Sequence, residues 1–222
     1  MEDLLNALAD FRLFSGIPYE SLDAVLSAVK FQIKNYSKNT DIFSVNDRIH
    51  HIGLILSGKI QIYRDDFMGN RSILAEFGET DIFAEAFVCS RTKNISVNIV
   101  AKENTKILFF DYNNLIISDI DRSIIIRIIE NMTYILAKKN VFLNEKNLFL
   151  TKRTTREKIL AFLSSEALKN KKNSFFIPFN RQEMADYLSV ERSALSYQLG
   201  KLKKEKIIDF NKNYFSIIPT SD

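Results

Sequence analysis

The sequence predicts an α+β chain: an antiparallel sandwich or barrel of short strands in front, a long helix in the middle, and a helix-turn-helix with a β-hairpin at the end. Three observations predict it. Between Phe31 and Asp111, short and often alternating apolar runs are separated by turn signals. From about Asp121 to Leu150, apolar residues recur at helical spacing. After Asn180, a helix with a capping residue, a tight turn, a basic helix and a hairpin follow in one register.

The 222 residues, 46% of them hydrophobic, suffice for one large domain or two smaller ones with real cores, and exclude global disorder. Cys89 is the single cysteine, so an internal disulfide is excluded, as is an iron–sulfur cluster, which needs about four thiolates. The plain reading of Cys89 is a small buried hydrophobe in a reducing compartment. Met1–Asn6 has no basic start, long apolar run or cleavage site, and no stretch reaches about 18 apolar residues, so neither a signal peptide nor a membrane span is expected and the location reads as cytoplasmic. Charge is uneven. Residues 151–222 carry 14 Lys and Arg against 8 Asp and Glu, a net +6, whereas residues 1–150 carry 17 against 19, a net −2. A basic terminal module suits a polyanionic partner, although a solvated lysine face has the same composition.

In chain order, Leu4–Leu13 and Tyr19–Val29 read as two short helices, with Pro18 starting the second. Strand-like runs follow at 52–56, 59–63, 72–75, 96–100 and 106–110, separated by turns such as Ser57-Gly58 and Gly69-Asn70. In the long helix, residues 128, 135, 142 and 149 lie seven apart, with 129, 136, 143 and 150 beside them. That repeat reads as a coiled-coil-like dimer seam through Ile125, Ile128, Met132, Ile135 and Phe142, although Lys139 and Lys146 lie close to it. Thr151–Thr155 breaks the pattern and reads as a hinge, with Thr154 or Thr155 capping the next helix. The domains expected are 1–118, with the strands and N-terminal helices, 119–150, the dimerisation helix, and 151–222.

Asn180 is placed to cap a helix, with Glu183 in capping-box position. Met184, Ala185 and Leu188 face inward, the small Ala185 admitting a steeply crossing helix. Ser189-Val190 forms the turn, and the second helix buries Leu195, Leu199 and Leu202. Its other side carries Arg192, Ser193, Ser196 and Tyr197 near the N-terminal end, where a recognition helix reaches base edges. Residues 207–210 and 214–218 flank Asn211-Lys-Asn213 as a hairpin, or wing.

The run Arg181-Gln-Glu-Met-Ala, Leu188-Ser-Val-Glu-Arg-Ser, Leu195, Leu199 and Leu202 resembles the helix-turn-helix of the Crp–Fnr family of bacterial regulators. The resemblance extends over nearly the whole chain. It implies an N-terminal antiparallel β-roll of double-stranded β-helix or jelly-roll type, a long dimerisation helix and a C-terminal winged helix-turn-helix. It also implies a homodimer on double-stranded DNA with a pseudo-palindromic operator, RNA polymerase being a further candidate partner. Arg192, Ser193 and Tyr197 fall where the family reads bases, and Thr154, Arg181, Gln182 and Ser196 are candidates for phosphate contacts.

Leu74, then Phe77-Gly-Glu-Thr-Asp-Ile-Phe-Ala-Glu-Ala86, resembles the start of the family's phosphate-binding cassette, which places a candidate effector pocket at Phe83, Ala84, Glu85, Ala86, Ile95 and Ser96. Nucleotide-binding members pair a glutamate with the ribose and an arginine with the cyclic phosphate. Here Glu85 is present, but Ala84 replaces the glycine and Ile95 stands at the arginine position, which speaks against cyclic AMP. His50 and His51 are the only histidines; as neighbours on a strand they point to opposite sides and read as surface residues. No metal site, cofactor or catalytic set is read, only an unidentified small effector. The reading is a DNA-binding regulator and no enzyme; the alternative is a cyclic-nucleotide or small-ligand binding protein whose helix-turn-helix contacts protein.

Overall fold

The structure is a computed structural model that describes residues 2–29, 31–69 and 71–218. Asn70, read above as part of a turn, and the chain-end bounds of the expected domains lie outside the described residues. The chain divides into two compact units, one of Met1–Arg64 and Leu74–Asn140, the other of Asp65–Ile73 and Val141–Asp222. The division falls inside the long helix.

Up to the long helix the chain runs α1 (Glu2–Ala9), α2 (Tyr19–Ala28), β1 (Phe31–Tyr36), β2 (Asp41–Phe43), β3 (Ile52–Ser57), β4 (Ile60–Asp65), β5 (Arg71–Phe77), β6 (Ile82–Phe83), α3 (Glu85–Cys89), β7 (Asn98–Ala101), β8 (Thr105–Phe110), α4 (Tyr112–Ile116) and the first part of α5 (Arg122–Leu150), all of the first unit except Asp65 and the start of β5. The strands form two four-stranded sheets, ordered β1-β8-β3-β6 and β2-β7-β4-β5. In the first sheet Phe110 lies opposite Phe31 and Ile52, and Phe109 opposite Gln32 and Gly53. Neighbouring residues of a strand point to opposite faces. Phe110 accordingly meets Phe14 edge-on at 6.1 Å on the helical side, while Phe109 meets Phe43 of the second sheet at 5.9 Å on the inner side. The antiparallel β-roll thus buries both faces of its central strands, as the fully covered Ile52, Leu54, Ile107 and Leu108 require.

The expected helix at 4–13 ends at Ala9, and a 3₁₀ turn follows at Arg12–Phe14. Phe11, Leu13 and Phe14 are all buried, and they cannot share one stripe of an α-helix. The tighter turn brings all three inside. Buried Asn131 of α5 secures it, donating from Nδ2 to the carbonyls of Leu13 at 3.0 Å and Ser15 at 2.8 Å.

Gly53 is fixed by close packing. A Cβ there would lie 2.2 Å from the ring of Phe83, which is itself fully buried and in edge contact with Phe109. Gly53→Ala must displace a ring that has no room to move, and it is expected to cost about 1–3 kcal/mol in urea denaturation. A neutral result would mean that the ring does not lie on the strand.

Helix α5 turns three of the five expected seam residues inward. Ile125, Ile128 and Met132 are buried in their own chain, at 2%, 0% and 2% exposure, and Ile135 and Leu136 pack partly against the same core. The strip through 125, 128 and 132 is therefore not open to a partner. The apolar side chains left exposed include Ile126, Ile129, Val141 and Leu143. Phe142 is half-buried. A seven-residue repeat cannot by itself distinguish a strip that covers its own domain from one that meets a second copy.

The second unit continues from the end of α5 with α6 (Thr155–Asn170), β9 (Ser174–Phe176), α7 (Arg181–Leu188), α8 (Arg192–Lys204), β10 (Ile208–Asn211) and β11 (Tyr214–Ile217). Its sheet is ordered β10-β11-β9. The chain between α5 and α6 ends at Thr154, whose side chain accepts from the Glu157 amide while Glu157 accepts from the Thr154 amide. The core is aromatic: Phe162 lies 5.8 Å from Phe149 and 5.6 Å from Tyr187, and Phe179 stacks on Tyr187 at 4.6 Å.

Candidate nucleic-acid interface and sensor pocket

Helix α7 starts with a complete capping box. Asn180 Oδ1 accepts from the Glu183 amide at 3.0 Å, and Glu183 Oε2 accepts from the Asn180 amide at 2.9 Å. It ends at Ser189, a non-glycine residue with φ +51. Lys158 of α6 donates to the carbonyls of Leu188 and Ser189, each at 3.2 Å, and so holds the turn by satisfying the free end of α7. Met184, Ala185 and Leu188 on one side and Leu195, Leu199 and Leu202 on the other are all fully buried, which fixes how α8 crosses α7.

That packing leaves Arg192, Ser193, Ser196 and Tyr197 exposed together over the first turns of α8, Tyr197 at 68%. The phosphate candidates differ in freedom. Thr154 and Ser196 are exposed, and Thr154 keeps its hydroxyl proton for donation, since its oxygen only accepts in the cap. Gln182 donates to Asp186 at 2.8 Å. Arg181 is half-buried, its guanidinium 4.7 Å from the Phe210 ring and 5.1 Å from the Phe215 ring. Burial lowers its pKa. It braces the wing at least as much as it faces solvent. The basic end of α8 is partly neutralised, since Lys203 pairs with Asp209 at 2.5 Å.

Of the effector-pocket candidates, Phe83, Ala84, Glu85 and Ile95 are buried, whereas Ala86 and Ser96 are exposed. Ala84 holds φ +68, a left-handed conformation in which a glycine would be unstrained. Glu85 is 4% exposed and forms an ion pair with Lys139 of α5 at 2.9 Å. The same ammonium donates to the Ile82 carbonyl at 2.6 Å and lies 4.2 Å from the Phe77 ring. The carboxylate thus already has a cation from its own chain. Ile95 is spent on the core, with its backbone bonded to Asn46 and Asp47. Cys89, partly buried, has its thiol pKa raised by burial and by Glu85. Among the described residues, no cluster of three or more His, Cys, Asp or Glu could hold a metal ion, and no helix is long and apolar enough to cross a membrane.

A family profile for the cyclic nucleotide-binding domain matches residues 33–116, and one for the Crp-like helix-turn-helix domain matches residues 157–219. The chain belongs to the Crp–Fnr family. A curated relative, the cyclic AMP receptor protein of Thermus thermophilus, is 31% identical over 96 residues, a match that spans 43% of each chain. Among solved structures, the c-di-GMP responsive global regulator CLP of Xanthomonas campestris is similar with a TM-score of 0.72 at 16% identity, covering 91% of this chain and all of that one. FixK2 of Bradyrhizobium japonicum is similar with a TM-score of 0.63 at 17% identity, covering 85% and 92%. At those identities the likeness is one of fold.

Within this Crp–Fnr frame, sequence reasoning missed the lysines that hold the fold from inside. Lys139 and Lys146 stand at seven-residue spacing on the strip of Ile125 and Met132. A repeated lysine on an otherwise apolar stripe is a readable sign of buried acceptors beneath it. Lys158 left no such sign, because its acceptors are backbone carbonyls of a turn 30 residues away.

Proposed function

We propose that the chain is a homodimeric, sequence-specific DNA-binding transcription regulator in the cytoplasm that recognises a pseudo-palindromic operator and answers to a small effector in its β-roll. The observation that carries the reading is the uncovered face of Arg192, Ser193, Ser196 and Tyr197 at the start of α8. It is presented by a clamped turn and flanked by a wing, the arrangement that places a recognition helix in the major groove. Arg192 is the residue suited to a bidentate bond to guanine, and Ser193 and Tyr197 extend the reading face. Thr154 and Ser196 suit phosphate contacts, with Gln182 and Arg181 available on rearrangement.

The second copy meets the outer strip of α5, where Ile126, Ile129, Thr133, Leu136, Asn140 and Leu143 follow at spacings of three and four. Polar residues at two of these positions suit a fixed register. A two-fold dimer sets operator half-sites about one helical turn apart. Cyclic AMP is disfavoured as the effector, because buried Ile95 stands where the phosphate would need a cation and Glu85 is taken by Lys139. RNA polymerase is a further partner in this reading.

Selection from a random DNA pool tests it. A palindromic motif is expected, and Arg192→Ala should weaken binding to it by roughly 1–3 kcal/mol while relaxing one position of each half-site. Affinity should fall with salt, with a slope of about −0.9 per phosphate contacted. A dimer that enriches no motif and shows no salt dependence, in extracts that contain its native small molecules, would sink the reading.

A further inference from the structure

The open edge of the β-roll holds a recess that the DNA-binding reading does not use. It measures about 430 Å³, within the range of small-ligand sites. Register explains its walls. Gln32, Lys34 and Tyr36 alternate along β1 onto the face that also carries Phe109, and that face looks toward β2 and its Phe43. Phe109 makes edge contacts with Tyr36 at 6.4 Å and with Phe43 at 5.9 Å, and these three rings line the recess together with Phe31. Lys34 Nζ lies 5.7 Å from the centre of the Phe109 ring. Ile42, Arg48, His50 and His51 complete the lining, and none of the lining residues is acidic. The two histidines stand before β3, not on a strand as expected, so both reach the same recess. Among the described residues, none of Lys34, Arg48, His50 and His51 is in an ion pair.

Cationic donors gathered over aromatic faces, with no carboxylate between them, select a ligand that is negative at one end and flat at the other. A carboxylate or phosphate takes the charge-assisted bonds from Arg48 and Lys34. An aromatic ring attached to it packs edge-on or offset against Tyr36, Phe43 and Phe109. An aliphatic anion would lose the ring contacts, and an aromatic cation would meet like charge. We infer that this recess is a binding site for a small aromatic anion, distinct from the Glu85 pocket. It requires neither DNA nor a second copy of the chain.

Benzoate is the probe, followed by calorimetry and by the fluorescence of the chain's tyrosines, since there is no tryptophan. Benzoate should bind, cyclohexanecarboxylate should bind more weakly, and benzylammonium should not compete. Lys34 and Arg48 are both exposed, so Lys34→Gln/Arg48→Gln should fold and melt like the parent. It should nevertheless lose benzoate affinity by about ten- to a hundredfold, the worth of a charge-assisted hydrogen bond. Glu85→Gln should leave benzoate binding unchanged. No binding of benzoate, equal competition by benzylammonium, or full affinity in the double variant would each overturn the inference.

Discussion

Replacing Lys139 with methionine is expected to destabilise the chain by about 3–5 kcal/mol in urea denaturation, the cost of stripping the partner from a buried ion. The loss falls on Glu85. Its Oε1 is paired at 2.9 Å, and its Oε2 is buried with no hydrogen-bond partner among the described residues. Without the ammonium, neither oxygen is compensated. The ion pair is not equally exposed at both ends: the Lys139 side chain is 24% exposed and Glu85 only 5%. Glu85→Gln should therefore cost less, because Lys139 keeps the Ile82 carbonyl and the Phe77 ring. The double variant Lys139→Met/Glu85→Gln should recover part of the loss, giving a coupling energy of about 1–3 kcal/mol. A single Lys139→Met variant within about 1 kcal/mol of the parent would show that water reaches Glu85.

The order of elements is legible in the sequence because each has a local cause. The capping pairs Thr154–Glu157 and Asn180–Glu183 mark two helix starts by chemistry that depends on nothing distant. Leu195, Leu199 and Leu202 mark the inward side of α8 by spacing alone, and so leave Arg192 and Tyr197 outward. The short strands β2 and β6 are not legible, because their few residues carry no periodic pattern, and the 3₁₀ turn at Arg12–Phe14 follows from a buried asparagine 116 to 118 positions away. The inward turn of Ile125, Ile128 and Met132, part of the expected seam, is missed for a related reason. Both strips of α5 carry apolar residues at seven-residue spacing, and only the tertiary packing decides that 125, 128 and 132 look inward. Arg181 shows the same limit at the candidate interface. Its place before Gln182 suggests phosphate, but its guanidinium rests on the wing rings of Phe210 and Phe215, which lie about thirty residues downstream.

Lys146 should make the stability of the second unit rise with pH through the alkaline range. The side chain is 5% exposed, its Nζ donates to the Ile73 carbonyl at 2.5 Å, and it lies 3.9 Å from the centre of the Tyr187 ring. Burial lowers its pKa from 10.5 to about 8. Below about pH 8 the lysine is charged both folded and unfolded, and the burial cost is present in full. Between about 8 and 10.5 the folded chain releases the proton that the unfolded chain still holds, so stability increases as pH rises. The whole window is worth about 3 kcal/mol, and about 2 kcal/mol of it lies below pH ~9.5, before tyrosines ionise in the unfolded chain. Tyr187 acts in the opposite sense at higher pH, since burial raises its pKa and folding then disfavours the phenolate. The measurement is urea denaturation of the parent and of Lys146→Met at about pH 7 and pH 9.5. The stability difference between the two should shift by about 2 kcal/mol in favour of the parent at the higher pH. Parallel pH profiles would mean that the ammonium keeps its proton inside the core, held by the Ile73 carbonyl and the Tyr187 ring against the cost of burial.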